Sequence, residues 1–321
     1  MRVPLPAAMM TILSAMLSLS PAVAPKPATR GPRFRTRIIA ALCGVVLLVS
    51  GCTALRIGYS QATDLVYWWL DGYADFDGEQ TRRMREALAQ WFAWHRKTQL
   101  PDYAQLLARA QTEVRAETTP ARVCEWQGEL VKRARTAWEQ ALPAAAEWVL
   151  SVTPQQIQHL ERRYAKANDE FRDDYLQEDP RERNEATIKR TVERAESLYG
   201  RLDDAQRARV AAGMARSPFD PELWLAERRL RQRDALQLLR KLTADGASRA
   251  QAEGALRVYV EHIERSPREA YRRYSERLAE FNCAFGASLH NNSSPAQRRT
   301  AAAKLSGWEA DLRALVAQTF K

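Results

Sequence analysis

Glycine, histidine and cysteine are all scarce in this chain: 321 residues hold 13 glycines, four histidines and four cysteines. Each scarcity removes a class of protein. Alternating strand-like runs bounded by Asn-Gly or Asp-Gly turns are missing, which argues against a sandwich or barrel. His95, His159, His262 and His290 stand singly, with no pair at helical i, i+4 spacing and no His-Glu-x-x-His, so a helical zinc site has no ligands. A Gly-x-Ser-x-Gly elbow and a phosphate-cradling glycine loop are absent, and no cysteine carries a nucleophile signature. The residues therefore indicate no enzyme and imply no cofactor. No segment between twenty and fifty residues long recurs with matching signature positions, which argues against a defined solenoid.

What is present is helical punctuation. Thr153-Pro154 with Gln156, Asp179-Pro180 with Glu182, Ser266-Pro267 with Glu269, and Ser294-Pro295 with Gln297 each read as an N-cap, a proline at the first helical position and a capping-box partner. Asp77 with Gln80 and Asp203 with Gln206 repeat the box without proline, and Thr119-Pro120 and Asp220-Pro221 are weaker versions. Each cap oxygen can accept an orphan N–H of a first turn. After Pro221, Leu223, Leu230, Leu238 and Leu242 alternate with Glu227, Arg228, Arg229 and Arg231, which predicts an apolar stripe backed by a solvated polar face. The expectation is an all-α fold, an irregular multi-helix bundle or array of about eight to ten helices.

Acidic residues are absent from positions 1–51, where six of the 49 basic residues lie. The formal charge of +10 is thus concentrated at the front, and the remainder holds 43 basic against 39 acidic residues. A polyanion-binding body is not indicated, and no nucleic-acid partner is expected. The front instead has the order of a lipoprotein signal: the basic lead Arg30–Arg37, the apolar run Ile38–Val49, and then Val49-Ser50-Gly51-Cys52. Small residues before a cysteine suit a peptidase that cuts after the thiol has taken a diacylglyceryl group. Cys52 is the expected lipidation site, with membrane attachment through its acyl chains (diacylglycerol, with palmitate as the N-acyl type). Thr53, where aspartate would favour inner-membrane retention, points to the outer membrane facing the periplasm. The alternative is an uncut signal anchor, since Ile38–Leu55 is uncharged over eighteen residues.

The earlier stretch Val3–Pro25 is broken by Pro4, Pro6, Pro21 and Pro25 and suits neither a helix nor a span. Translation starting downstream, for instance at Val23, would leave Ala24–Arg37 as an ordinary lead; the rival is a first signal ending at Ala22-Val23-Ala24. Domain organisation follows as residues 1–51, removed; 52–76, a lipidated tether with a short aromatic helix; and 77–321, an all-helical periplasmic domain. Cys43 would leave with the signal. Cys124 and Cys283 remain as a pair able to form a disulfide in an oxidising compartment, or to serve as small core residues.

The densest aromatic and acidic cluster spans Tyr67 to Glu79. Asp75-Phe76-Asp77-Gly78 fits positions three to six of an EF-hand loop, but Tyr73 and Met84 occupy positions one and twelve, where carboxylates are required, so no metal is expected. Two readings stand for Trp68, Trp69, Asp71, Tyr73, Asp75 and Asp77: packing against the helix that Asp77 caps, or an interaction surface near the membrane, where amphipathic rings favour the headgroup layer. His95, between Trp94 and Arg96, reads as a surface or boundary residue.

The signal and Cys52, with Tyr67-Trp68-Trp69-Leu70-Asp71-Gly72-Tyr73, Trp94-His95-Arg96, Leu160-Glu161-Arg162-Arg163, Tyr199-Gly200-Arg201-Leu202, Ser217-Pro218-Phe219-Asp220-Pro221 and Asn282-Cys283-Ala284, together resemble a family of uncharacterised proteobacterial lipoproteins of outer-membrane type. That resemblance implies an envelope address and no activity. The expected function is binding or scaffolding of an unidentified envelope protein or lipid. The alternatives are a carrier or chaperone for an apolar ligand, motivated by nine tryptophans, and a hydrolase whose site is assembled in space.

Overall fold

The computed structural model describes residues 52–318, and for residues 52–54 the backbone alone. The expected signal, and the acyl-bearing side chain of Cys52, lie outside what is described. Among the described residues there is no strand, and no helix is long and apolar enough to cross a membrane. The helices are α1 (Cys52–Ser60), α2 (Ala62–Ala74), α3 (Gly78–Trp94), α4 (Leu100–Glu113), α5 (Pro120–Ser151), α6 (Pro154–Tyr175), α7 (Pro180–Tyr199), α8 (Asp204–Ala215), α9 (Pro221–Ala244), α10 (Arg249–Glu264), α11 (Glu269–Asn291) and α12 (Pro295–Ala317). A π turn at His95–Gln99 joins α3 to α4 without a break, so the described chain forms eleven rods.

Most of the predicted helix starts fall where the cap chemistry requires. Asp77, Thr153, Asp203 and Ser294 form complete capping boxes with the glutamine three residues on, and Ser248 forms a fifth with Gln251. Asp179 accepts from the Arg181 amide rather than closing a box with Glu182. Ser266 does not cap. α11 begins at Glu269 behind Arg268, and the buried Ser266 hydroxyl donates to Glu227 Oε1 at 2.8 Å. Glu227 also receives Arg231 Nε at 3.1 Å and Arg268 Nη1 at 3.3 Å, so a carboxylate expected to face water is enclosed by three donors. Arg228 is likewise buried, 6% exposed, over the rings of Phe171 and Trp224. The apolar stripe of α9 alone is too narrow to fill its contacts with α5, α6 and α10, and the buried face takes in Glu227, Arg228 and Gln232 as well.

Two large cores and a smaller one organise the helices. The first gathers Tyr73, Leu142, Val149, Leu160, Tyr164, Leu239 and Leu256 from α2, α5, α6, α9 and α10. The second gathers Leu55, Tyr59, Tyr67, Phe92, Leu100, Leu312 and Leu315, with α12 running along α4 and α1. A fully enclosed side chain such as Leu142 contributes about 2–3 kcal/mol of apolar burial. Residues 52–76, expected to be a lipidated tether with a short aromatic helix, carry α1 and α2 and contribute to both cores: Leu55, Tyr59 and Tyr67 lie in the second and Tyr73 in the first. Aromatic rings recurring along a helix have more apolar surface than a tether can leave in water.

His95 is also buried, a correction to its expected boundary position. Its ring stacks on Trp91 at 4.7 Å, its Nδ1 lies 3.0 Å from the Tyr59 hydroxyl, and desolvation lowers its pKa to about 4. In the first turns of α5, Cys124 is joined to Cys283 of α11, with the Cα atoms 5.4 Å apart.

Candidate functional site

The third core, Val192, Ala195, Leu202 and Val210, is incomplete, and the deficit forms a cleft. α7 ends at Tyr199, and Gly200 takes φ +78°, a backbone that side chains resist, so that the chain reverses and Asp203 can cap α8. α8 then lies against α11 at Gly213. A Cβ on Gly213 would stand 2.4 Å from Phe285 Cε2, so the missing side chain lets the ring press on the helix backbone. Phe281, one turn earlier, stacks parallel to Phe285 with centroids 6.0 Å apart.

Between the two helices is a cavity of about 480 Å³. Leu202, Val210, Phe281, Phe285 and Leu289 supply its apolar lining, and Arg209 and Arg216 stand exposed at its edge. No carboxylate lines it, and among the described residues neither arginine side chain has a hydrogen-bond or ion-pair partner. The size falls within that of small-molecule sites.

The closed end of the cleft is fixed by a hydrogen-bond relay. His290 Nε2 lies 2.7 Å from the Ala116 carbonyl, which can only accept, so the ring proton sits on Nε2. In the neutral ring Nδ1 then accepts from the Tyr199 hydroxyl at 2.8 Å, and burial pushes the Tyr199 pKa up to about 12. The relay fixes the His290 tautomer and braces α7 against α11. Beside it, Gln206 Nε2 donates to the Asn292 carbonyl at 3.0 Å, holding the start of α8 against the end of α11. Ser293 Oγ donates to the His290 carbonyl at 2.6 Å. The geometry presents an apolar slot with uncompensated positive charge at its edge, suited to holding an amphiphile.

The aromatic and acidic cluster singled out in the sequence does not converge. Trp68 points outward; Trp69 packs half-buried on the first core, 5.1 Å from the ring of the buried Tyr73. Asp71 accepts from the Phe76 amide at 3.0 Å, and Asp77 caps α3. Asp75 adopts φ 52°, with its carboxylate 3.8 Å from His159 Nδ1. These acids shape a turn. Among the described residues no three metal-ligating side chains cluster. The cleft residues Arg209, Gly213, Phe281 and Phe285 were not singled out in the sequence. A glycine inside α8, in a chain with few, was the available signal.

Comparison with known proteins gives a family without an activity. The family of unknown function DUF6279 matches residues 72–253, which include the α8 wall of the cleft and stop short of the α11 wall. No curated protein and no solved structure matches the chain. With more than half of its length matched, this chain belongs to DUF6279, a family of unknown function.

Proposed function

We propose that the protein is a lipoprotein of the bacterial envelope, anchored by acyl chains on Cys52, that binds a component of that envelope without transforming it. The observation that carries the binding half is the α8–α11 cleft, whose apolar lining and two unpaired arginines favour an amphiphile with an apolar chain and an anionic group. The same cleft supports the carrier reading. The anchoring half is supported by the order of basic lead, apolar run and Ser50-Gly51-Cys52.

Native mass spectrometry of the full chain extracted from bacterial membranes tests the proposal, together with displacement of a fluorescent fatty acid by oleate. A bound lipid adduct and competitive displacement are expected. Arg209→Glu combined with Arg216→Glu is expected to weaken oleate binding by about tenfold or more, since a single charge-assisted contact is worth about 1.5–3 kcal/mol. A wild-type chain that carries no adduct and does not bind oleate would overturn the reading.

A further inference from the structure

Five large apolar side chains stand exposed among the described residues, and three of them fall close behind Cys52: Ile57 at 58%, Leu65 at 52% and Trp68 at 62%. The other two, Leu223 and Val258, stand apart on α9 and α10. The three share a face. α1 and α2 meet at a turn at Gln61, whose backbone stays in the right-handed region, and two i, i+4 bonds bridge the joint: Gln61 N–H reaches the Ile57 carbonyl at 3.2 Å and Leu65 N–H reaches the Gln61 carbonyl at 3.0 Å. Positions 57, 61, 65, 68 and 72 therefore fall along one side of the two helices, as Ile, Gln, Leu, Trp and Gly. The opposite side is fixed in the protein, because Leu55, Tyr59 and Tyr67 are buried in the second core and Tyr73 in the first. The stripe cannot turn inward.

We propose that this stripe lies in the interfacial layer of the bilayer that the acyl chains of Cys52 enter, so that α1–α2 rests along the membrane and sets the orientation of the whole body. The inference depends on acylation of Cys52. Lipid, rather than a protein partner, is the occupant because Cys52 is itself the first residue of α1, leaving no linker between the anchor and the helix. At a helical rise of 1.5 Å per residue, Ile57 is about 7 Å and Trp68 about 24 Å along the axis from the acylated residue. A tryptophan and branched aliphatics are the side chains that the headgroup boundary favours, and Asp64 at the border of the stripe is neutralised by Arg85 at 2.9 Å.

The test is a nitroxide on Leu65→Cys in the mature acylated chain, with Val258→Cys as the control on α10. Cys124 is joined to Cys283 and Cys52 is acylated, so each introduced thiol is labelled alone. On phosphatidylethanolamine–phosphatidylglycerol vesicles the Leu65 label is expected to become severalfold more accessible to oxygen than to a polar relaxation agent, with the Val258 label unchanged. A chain that floats with the vesicles while its Leu65 label remains in water overturns the proposal and leaves the anchor standing. A chain without acyl mass that fails to float overturns both. Immobilisation of the Leu65 label without vesicles, in a soluble Cys52→Ala chain exported behind a conventional signal, identifies a second copy as the occupant and also overturns it. Both labelled positions are exposed, and matching circular dichroism melts verify the fold.

Discussion

The side-chain amides of Gln80 and Gln156 hydrogen-bond to each other, at 3.3 Å in one direction and 2.5 Å in the other, across 76 residues of chain. Each is also the third residue of its own helix and closes that helix's capping box. Each donates further to the carbonyl two residues before the partner's cap: Gln80 to Ser151 at 3.0 Å and Gln156 to Asp75 at 2.8 Å. The arrangement recurs at the other end of the molecule. Gln206 and Gln297 pair at 2.7 and 2.9 Å and donate to the carbonyls of Asn292 and Arg201, again two residues before each partner's cap. Two helix starts are thus sealed against each other, twice, by one device.

Because the pair satisfies buried amides reciprocally, removing one member strands the other. Gln156→Leu is expected to cost about 1–3 kcal/mol, and adding Gln80→Leu is expected to cost less than the sum of the single changes. Urea melts of the four chains in a double-mutant cycle measure the coupling; strict additivity would show that the amides act independently.

Gly213 is the corresponding test at the cleft. Gly213→Ala places a Cβ where Phe285 stands and is expected to destabilise by about 1–3 kcal/mol. It should also reduce oleate binding by displacing the ring that lines the cavity. Combining it with Phe285→Leu should recover part of the stability, and thermal melts with fluorescence displacement read both effects.

His95 carries a pH signature. The unfolded chain takes up its proton near the ordinary 6.5, whereas the folded chain holds the ring neutral down to about 4, so the unfolded state binds more protons within that window. Stability attached to this residue is complete above pH 6.5 and is lost as pH falls toward 4, in total on the order of 3 kcal/mol. Denaturant melts from pH 7 to pH 4 should show a slope that is shallower in His95→Gln, which keeps an acceptor for Tyr59. Equal slopes would contradict the assignment.

The Cys124–Cys283 bond closes a loop across a sequence separation of 159. Loop-closure entropy at that length gives about 5 kcal/mol, so the Cys124→Ser, Cys283→Ser double variant is expected to melt lower by several degrees. A melting temperature unchanged by both the substitution and a reductant would indicate that the bond does not constrain the unfolded chain.

Helix starts were legible in the sequence because capping is local: Asp77, Thr153, Asp203 and Ser294 need only a residue three positions on. Ser266 shows the limit. Its local pattern matched, but a buried carboxylate on α9 drew its hydroxyl away. Residues 52–76 show how far local signals reach: an aromatic helix was legible there, but not that it divides into α1 and α2, because α1 is placed by α12, more than 200 residues later. The cleft was illegible for the same reason. Gly213 and Phe285 become a site only when α8 meets α11, and nothing in either segment announces the other. Trp68 and Tyr73 looked alike in sequence, and helical phase alone separates the exposed ring from the buried one.

Anchoring through Cys52 is the claim on which the rest is arranged, and intact mass together with membrane fractionation of the protein from its own cells tests it most directly. The account predicts a chain that begins at Cys52, carries diacylglyceryl and N-acyl groups and sediments with membranes, with acylation and attachment both lost in Cys52→Ala. A chain still bearing residues 38–51 and held in the membrane regardless of Cys52 would contradict it.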